Sequence, residues 1–221
     1  MTSPKNLTIA ILGGTGKEGP GLALRWANAG YPIIIGSRQK EKAELTAAEL
    51  NGKLGSELVR GMENGPAARQ ADICVLTVIQ DAHQAALESL KADLQGKILV
   101  DATARVDFRD PHPPPAPAAA RHAQNLLGAG VRVVAAFQNV PAHVLKKDLG
   151  QKLDADVLVC ADDQPAAEQV IRLAEAGGMN AFYAGSLDNA VVGEGLTSIL
   201  ISLNKYYGVK TASIGVTGLE K

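Results

Sequence analysis

The chain has 221 residues, 46% of them hydrophobic, and its 22 Lys and Arg against 23 Asp and Glu leave a formal net charge of −1. That balance, with no long run of one sign, gives no electrostatic footprint for nucleic acid or for an anionic membrane surface. The length suits one large domain or a main domain with a small companion, and the apolar content suffices for a real core.

In chain order, "LTIAIL" (7–12) predicts a buried strand that stops at Gly13-Gly14. This run is too short for a secretory leader. "GPGLALRWANAG" (19–30) predicts a helix, with Pro20 in the first turn and Gly30 as its stop. "YPIIIG" (31–36) is a second strand, "KEKAELTAAEL" (40–50) a second helix, and "ELVRG" (57–61) a short third strand. "DICVLTV" (72–78) is apolar throughout, as expected of a strand covered on both faces. "DAHQAALESLKADL" (81–94) is helical and "KILVDAT" (97–103) is a fifth strand.

The rhythm breaks at "RVDFRDPHPPPAPAAAR" (105–121), whose prolines exclude a central strand or helix over 111–117. It reads as an irregular loop leading into a helix near 118–127. "VRVVAAF" (131–137) and "DVLVCA" (156–161) are further strands, followed by a helix at 165–176. "LDNAVVGEGLTSILISLNKYYG" (187–208) predicts a helix apolar around much of its circumference, to be buried against the protein or a second subunit. Its core, "LTSILISL", is too short to span a membrane.

Strand–helix alternation predicts an α/β, Rossmann-type doubly wound and mostly parallel sheet. A division at 1–150 for the dinucleotide-binding domain and 151–221 for a small C-terminal domain follows, although the strand at 156–161 also suits an extension of the first sheet. Cys74 and Cys160 sit in strand-like runs and read as buried thiols of a reducing compartment. No His/Cys cluster suggests a metal. The expectation is a soluble, cytoplasmic protein.

Gly14, Gly16 and Gly19 spell GxGxxG directly between a predicted strand and a predicted helix. The first glycine permits the tight turn, the second lets backbone approach a pyrophosphate, and the third brings helix and strand together. The alternative is an empty structural turn. The second strand ends "GSRQKEK" with no acid at its tip. An NAD seat usually places Asp or Glu there to hold the ribose 2′-hydroxyl. Ser37, Arg38 and Lys42 suit a 2′-phosphate instead, so NADP(H) is expected over NAD(H). Lys40 reads as a solvated partner for Glu44.

Ligands of a doubly wound sheet sit outside the strands' carboxyl ends. That rule nominates Thr77 and Val78, then Thr103 and Ala104, then "FQNVPA" at 137–142. None is an evident nucleophile, and no acid–base set stands out. His83, His112, His122 and His143 read as surface or supporting histidines. Asp101, at a strand end, suits either a ligand contact or a turn role.

The chain resembles the NADP-dependent oxidoreductases that use the 8-hydroxy-5-deazaflavin coenzyme F420. The resemblance lies in "ILGGTGKEGPGLALRWANAGYPIIIGSRQKEKA", "DICVLTV", the "VPA" after the sixth strand, and "DVLVCADD". It implies hydride transfer between nicotinamide C4 and deazaflavin C5, achieved by positioning and water exclusion rather than by a catalytic side chain. It implies pyrophosphate contacts at Thr15, Gly16, Lys17 and Glu18 and 2′-phosphate contacts at Ser37, Arg38 and Lys42. Val78, Ala104 and Ala142 match positions near the nicotinamide half, and a homodimer is implied as well. The chain departs from the pattern at Gln138, where the family has histidine, at Asp101-Ala102, where it has Ser-Pro, and across 105–117. These departures fall on the deazaflavin side. They keep open a reductase of another flavin, imine or carbonyl acceptor, and the absence of an obvious acid–base set keeps open a non-catalytic NADP(H)-binding protein.

Overall fold

The structure, a computed structural model, describes residues 7–219. Eight strands form one sheet in the order β3-β2-β1-β4-β5-β6-β7-β8. They are β1 (Ile9–Leu12), β2 (Ile33–Ser37), β3 (Val59–Glu63), β4 (Ile73–Leu76), β5 (Ile98–Asp101), β6 (Arg132–Ala135), β7 (Asp156–Ala161) and β8 (Asn180–Tyr183). The helices are α1 (Gly19–Asn28), α2 (Lys40–Leu54), α3 (Asn64–Gln70), α4 (Gln80–Leu90), α5 (Ala119–Leu127), α6 (Gln164–Ala176) and α7 (Ala190–Tyr207). Strands β1 to β6 run parallel in the doubly wound order, whose reversal between β1 and β4 opens a crevice at the carboxyl edge.

Alternating side chains of the central strands feed two cores. Ile9, Ile11, Ile33 and Ile35 face α1, α2 and α6, whereas Ala10, Leu12, Ile34 and Cys74 face the α3–α5 side. Both faces are covered, so these strands are apolar except at their carboxyl ends, where Ser37 closes β2 and Asp101 closes β5. Trp26 of α1 packs edge-on against Phe137 at 5.7 Å between ring centroids and donates its indole N–H to Leu173 O at 2.8 Å. That single side chain ties α1 to α6 and to the loop after β6.

Strand β7 runs antiparallel to β6 and pairs only through Val134↔Ala161 and Ala135↔Cys160. Asp156–Val159 therefore overhang the carboxyl end of β6 by four residues, about 13 Å at ~3.3 Å per residue. Strand β8 runs parallel to β7, so this pair raises a wall beside the crevice.

Two elements were not expected from the sequence. Helix α3 is seven residues long and contains Gly65 and Pro66, which hide any helical period. Strand β8 is four residues of mixed polarity behind Gly178, whose φ is +82°. Helix α7 is buried on one face through Gly193, Glu194, Gly195, Ser198 and Leu200, and it exposes Val192, Ile199, Leu203, Tyr206 and Tyr207 on the other. Cys74 and Cys160 are free and buried; burial pushes their thiols up to about 12 and about 11.

Candidate functional site

The turn from β1 to α1 is held from below by backbone. Gly14 N donates to Gly36 O at 2.9 Å, and Gly13 N donates to Asn64 Oδ1 at 3.1 Å. Asn64, at the start of α3, was not singled out from the sequence; only its place after a strand pointed to it. The glycines divide by what a Cβ would meet. At Gly14 it would lie 2.6 Å from Ile11 O, and at Gly19 2.7 Å from both Cα and O of Gly14. At Gly16 the nearest atom is Gly13 O at 3.8 Å, and the residue is exposed. Gly14 and Gly19 therefore serve the turn itself, and Gly16 leaves open space above it. Helix α1 has no acidic residue and no side-chain cap in its first turn, so its positive end is not neutralised by its own side chains, although Pro20 has no N–H and Gly21 N donates to Glu18 O at 2.9 Å.

Thr15 and Lys17 line the rim of the turn, half-buried and exposed respectively. Glu18 occupies the N-cap position of α1. Its carboxyl Oε1 is enclosed and has no hydrogen-bond partner, and burial pushes the group up to about 8.

Ser37 ends β2, is 7% exposed, and accepts from Gln39 N at 3.2 Å. Arg38 and Lys42 are exposed and form no ion pair among the described residues. Lys40 instead pairs with Glu44 at 3.4 Å, as expected. Glu63 stands in register with Ser37 on β3; its exposure to solvent screens its charge.

The ends of β4, β5 and β6 meet next to the glycine turn. Val78 Cγ1 occupies the place that a Cβ on Gly13 would need, with 2.6 Å between them. Thr77 donates to Leu12 O through N at 3.0 Å and through Oγ1 at 3.3 Å. Gln138 Nε2 donates to Asp101 O at 2.9 Å, and Thr197 Oγ1 of α7 donates to Gln138 O at 2.8 Å. Ala104 and Ala142 are half-buried on the loops after β5 and β6. Phe137, just before Gln138, holds φ at +76°, a costly conformation for an aromatic residue, fixed by its packing on Trp26.

The loop after β6 is pinned by Arg25 of α1, which is 3% exposed. Its guanidinium donates to the carbonyls of Leu145 (3.0 Å), Lys147 (2.7 Å), Gln151 (3.2 Å) and Gly177 (3.1 Å). The proline loop is pinned by Glu194 of α7, which is fully buried. Glu194 accepts from Arg105 Nε at 2.9 Å and from Ala119 N at the start of α5. Burial raises the Glu194 carboxyl above its ordinary value, although both of those donors oppose the shift.

His83, read from the sequence as a surface or supporting residue, is 8% exposed and sits 2.7 Å from Asp101. Asp101 is fully buried and also accepts from Thr103 N at 3.0 Å. The other histidines, His112, His122 and His143, are exposed. Among the described residues no group of three or more His, Cys, Asp or Glu could hold a metal ion, and no helix is long and apolar enough to cross a membrane.

Strand order, glycine turn and crevice define a Rossmann-type oxidoreductase fold for binding a dinucleotide. Residues 8–105 match the family described as NADP oxidoreductase, coenzyme F420-dependent. The F420-dependent NADP reductase of Methanothermobacter thermautotrophicus is 39% identical over 225 residues, covering 97% of this chain and 97% of that protein. The enzyme of the same name from Methanocaldococcus jannaschii is 39% identical over 230 residues, covering 97% of this chain and all (100%) of that one. A crystal structure from Arthrobacter sp. FB24, provisionally named an F420-dependent NADP-reductase, superposes with a TM-score of 0.78 at 25% identity, covering 96% of this chain and 100% of that chain. The chain belongs to the F420-dependent NADP reductase family.

Proposed function

We propose that the protein transfers a hydride between NADP(H) and the deazaflavin coenzyme F420. The observation that carries this reading is the likeness to two F420-dependent NADP reductases over 97% of the chain. The site supports it. Gly16 leaves room for a pyrophosphate over the α1 amides, flanked by Gly14, Thr15, Lys17, Glu18 and Gly19. Ser37, Arg38 and Lys42 suit the 2′-phosphate, since two exposed, unpaired cations and a hydroxyl stand where an NAD seat carries an acid. Thr77, Val78, Ala104, Gln138 and Ala142 would border the nicotinamide and the acceptor ring.

When bound, the nicotinamide supplies or accepts the hydride at C4. The chain's work is to hold two flat rings in contact and keep water out. The small side chains at Val78, Ala104 and Ala142 leave room for that stacking, and the Arg25 and Glu194 ties hold the two loops that carry it. We assign residues 1–150 to NADP(H) binding and 151–221 to a small C-terminal part that walls the acceptor side. We further place the protein in the cytoplasm as a homodimer in which a second copy covers Val192, Ile199, Leu203 and Tyr206.

The test mixes the purified protein with NADPH and oxidised F420 and follows the absorbance of both, with NADH as control. Exchange with NADPH and not with NADH is the expected result. NADPH binding without exchange would overturn the acceptor assignment, and equal exchange with NADH would overturn the 2′-phosphate seat.

A further inference from the structure

Hydride transfer to a deazaflavin is not complete with the hydride. The C4–H bond of the nicotinamide breaks with its electron pair, a C5–H bond forms on the acceptor, and the displaced ring electrons leave N1 of the acceptor to take up one proton. In the reverse direction that proton must depart. Resting on the function proposed above, we propose that His83, backed by Asp101, is the group that donates and accepts this proton.

The geometry is that of an oriented base. His83 lies in the first turn of α4, directly after the Thr77–Val78 loop, and Asp101 is the last residue of β5. The pair therefore stands at the carboxyl edge, among the residues assigned to the rings. Nε2 of His83 meets Asp101 Oδ2 at 2.7 Å. Asp101 is held in turn by Thr103 N on its other oxygen, and its carbonyl accepts from Gln138. A buried carboxylate fixed on both oxygens sets the ring orientation and favours the imidazolium.

The second ring nitrogen, Nδ1, makes no hydrogen bond among the described residues. Among the described residues, Glu18 Oε1 is the one buried side-chain polar atom left without a partner, so Nδ1 is not sealed in. A nitrogen that reaches out of a buried, carboxylate-backed ring can hand over a proton and be recharged. A tether between α4 and β5 would need neither that opening nor a charged ring.

The charged groups around His83 agree in sign. Burial works against its charge, but the hydrogen bond and charge of Asp101 on β5 and the charge of Glu194 on α7 outweigh it, with Arg105 opposing. The imidazole is thereby held above its ordinary value. Its neighbours are not competitors. Arg105 and Glu194 are tied to each other, and Glu18 lies at the phosphate end of the site. His112, in the proline loop, is solvent-exposed on Asp110.

The experiment has two readouts on the full chain. In the ligand-free protein, NMR titration follows the His83 ring, identified by its loss in His83→Asn. In Asp101→Asn its midpoint falls to lower pH, because burial then opposes the charge without the carboxylate to offset it. In stopped-flow single turnovers, F420 reduction by NADPH slows as pH rises through that midpoint, and oxidation of reduced F420 slows as pH falls through it. His83→Asn loses both inflections and about 10²–10⁴-fold in rate, with NADPH affinity changed less than about twofold. Asp101→Asn, which keeps the ring, moves both inflections to lower pH by the shift seen in NMR. Unchanged rates and inflections in His83→Asn overturn the proposal while leaving the hydride reading intact. Failure of the native protein to exchange hydride with F420 overturns both.

Discussion

Gly16 and Gly19 sit three residues apart in one turn, and the structure separates what each does. A Cβ on Gly19 would lie 2.7 Å from Cα and O of Gly14 and 2.9 Å from its C, all backbone, so the turn itself must move. Overpacking of this kind costs about 1–3 kcal/mol. At ~2–4 °C per kcal/mol for a chain of this size, Gly19→Ala should lower Tm by several degrees. Gly16→Val meets nothing closer than 3.8 Å and needs no left-handed backbone, so Tm should stay within about 1–2 °C of the native value. The valine does fill the space assigned to the pyrophosphate. Loss of one or two charge-assisted bonds, at ~1.5–3 kcal/mol each, should weaken NADPH binding by about tenfold or much more. Thermal unfolding without nucleotide and calorimetric titration with NADPH measure the two effects separately. Gly16→Val protein that binds NADPH with native affinity would refute the seat, and Gly19→Ala protein with native Tm would refute the division of labour.

Arg38→Ala combined with Lys42→Ala should weaken NADPH binding by about 2–4 kcal/mol and leave NADH binding nearly unchanged; equal losses in titrations of both nucleotides would exclude the 2′-phosphate assignment. Glu18 carries a raised folded-state pKa, so its contribution favours folding at low pH and is lost as pH rises from about 4.5 through about 8. NADPH affinity should fall over the upper part of that window as a carboxylate forms beside the phosphates. Glu18→Gln should abolish both trends, as read by denaturant midpoints and titrations at pH 6 and pH 9. Arg25→Met strips donors from four carbonyls and should cost about 2–4 kcal/mol, with faster amide exchange across 145–151 as its local signature.

The parts of this site that were legible in the sequence are the parts built locally. "LTIAIL" followed by glycines and a helix has one physical reading, and the missing acid after "YPIIIG" is a statement about five consecutive residues. The paired His83 and Asp101 are 18 residues apart, on a helix and a strand end, and nothing in either segment advertises the other. Arg25 looks like an ordinary helical arginine until four carbonyls from two distant segments close around it. Glu194 reads as a polar interruption in an apolar helix, yet it is the anchor of a loop 89 residues earlier. Helix α3 and β8 are too short for periodicity to speak.

The span between Arg105 and Glu194 also bears on how the chain assembles. The glycine turn and the strand ends beside it draw on residues 13 to 64 and close through β1–β2–β3 neighbours, so their loops are short and the closure entropy is modest. The crevice beyond β5 and β6 is tied only when α7 lays Glu194 over the proline loop and Thr197 over Gln138, far later in sequence. The local hydrogen bonds of the turn therefore need only early segments, and α1 reaches its final place when Trp26 and Arg25 meet residues 137–177. The two sides of the crevice thus differ in contact order: one closes within a short stretch of chain, and the other only through pairings as far apart as Arg105 and Glu194.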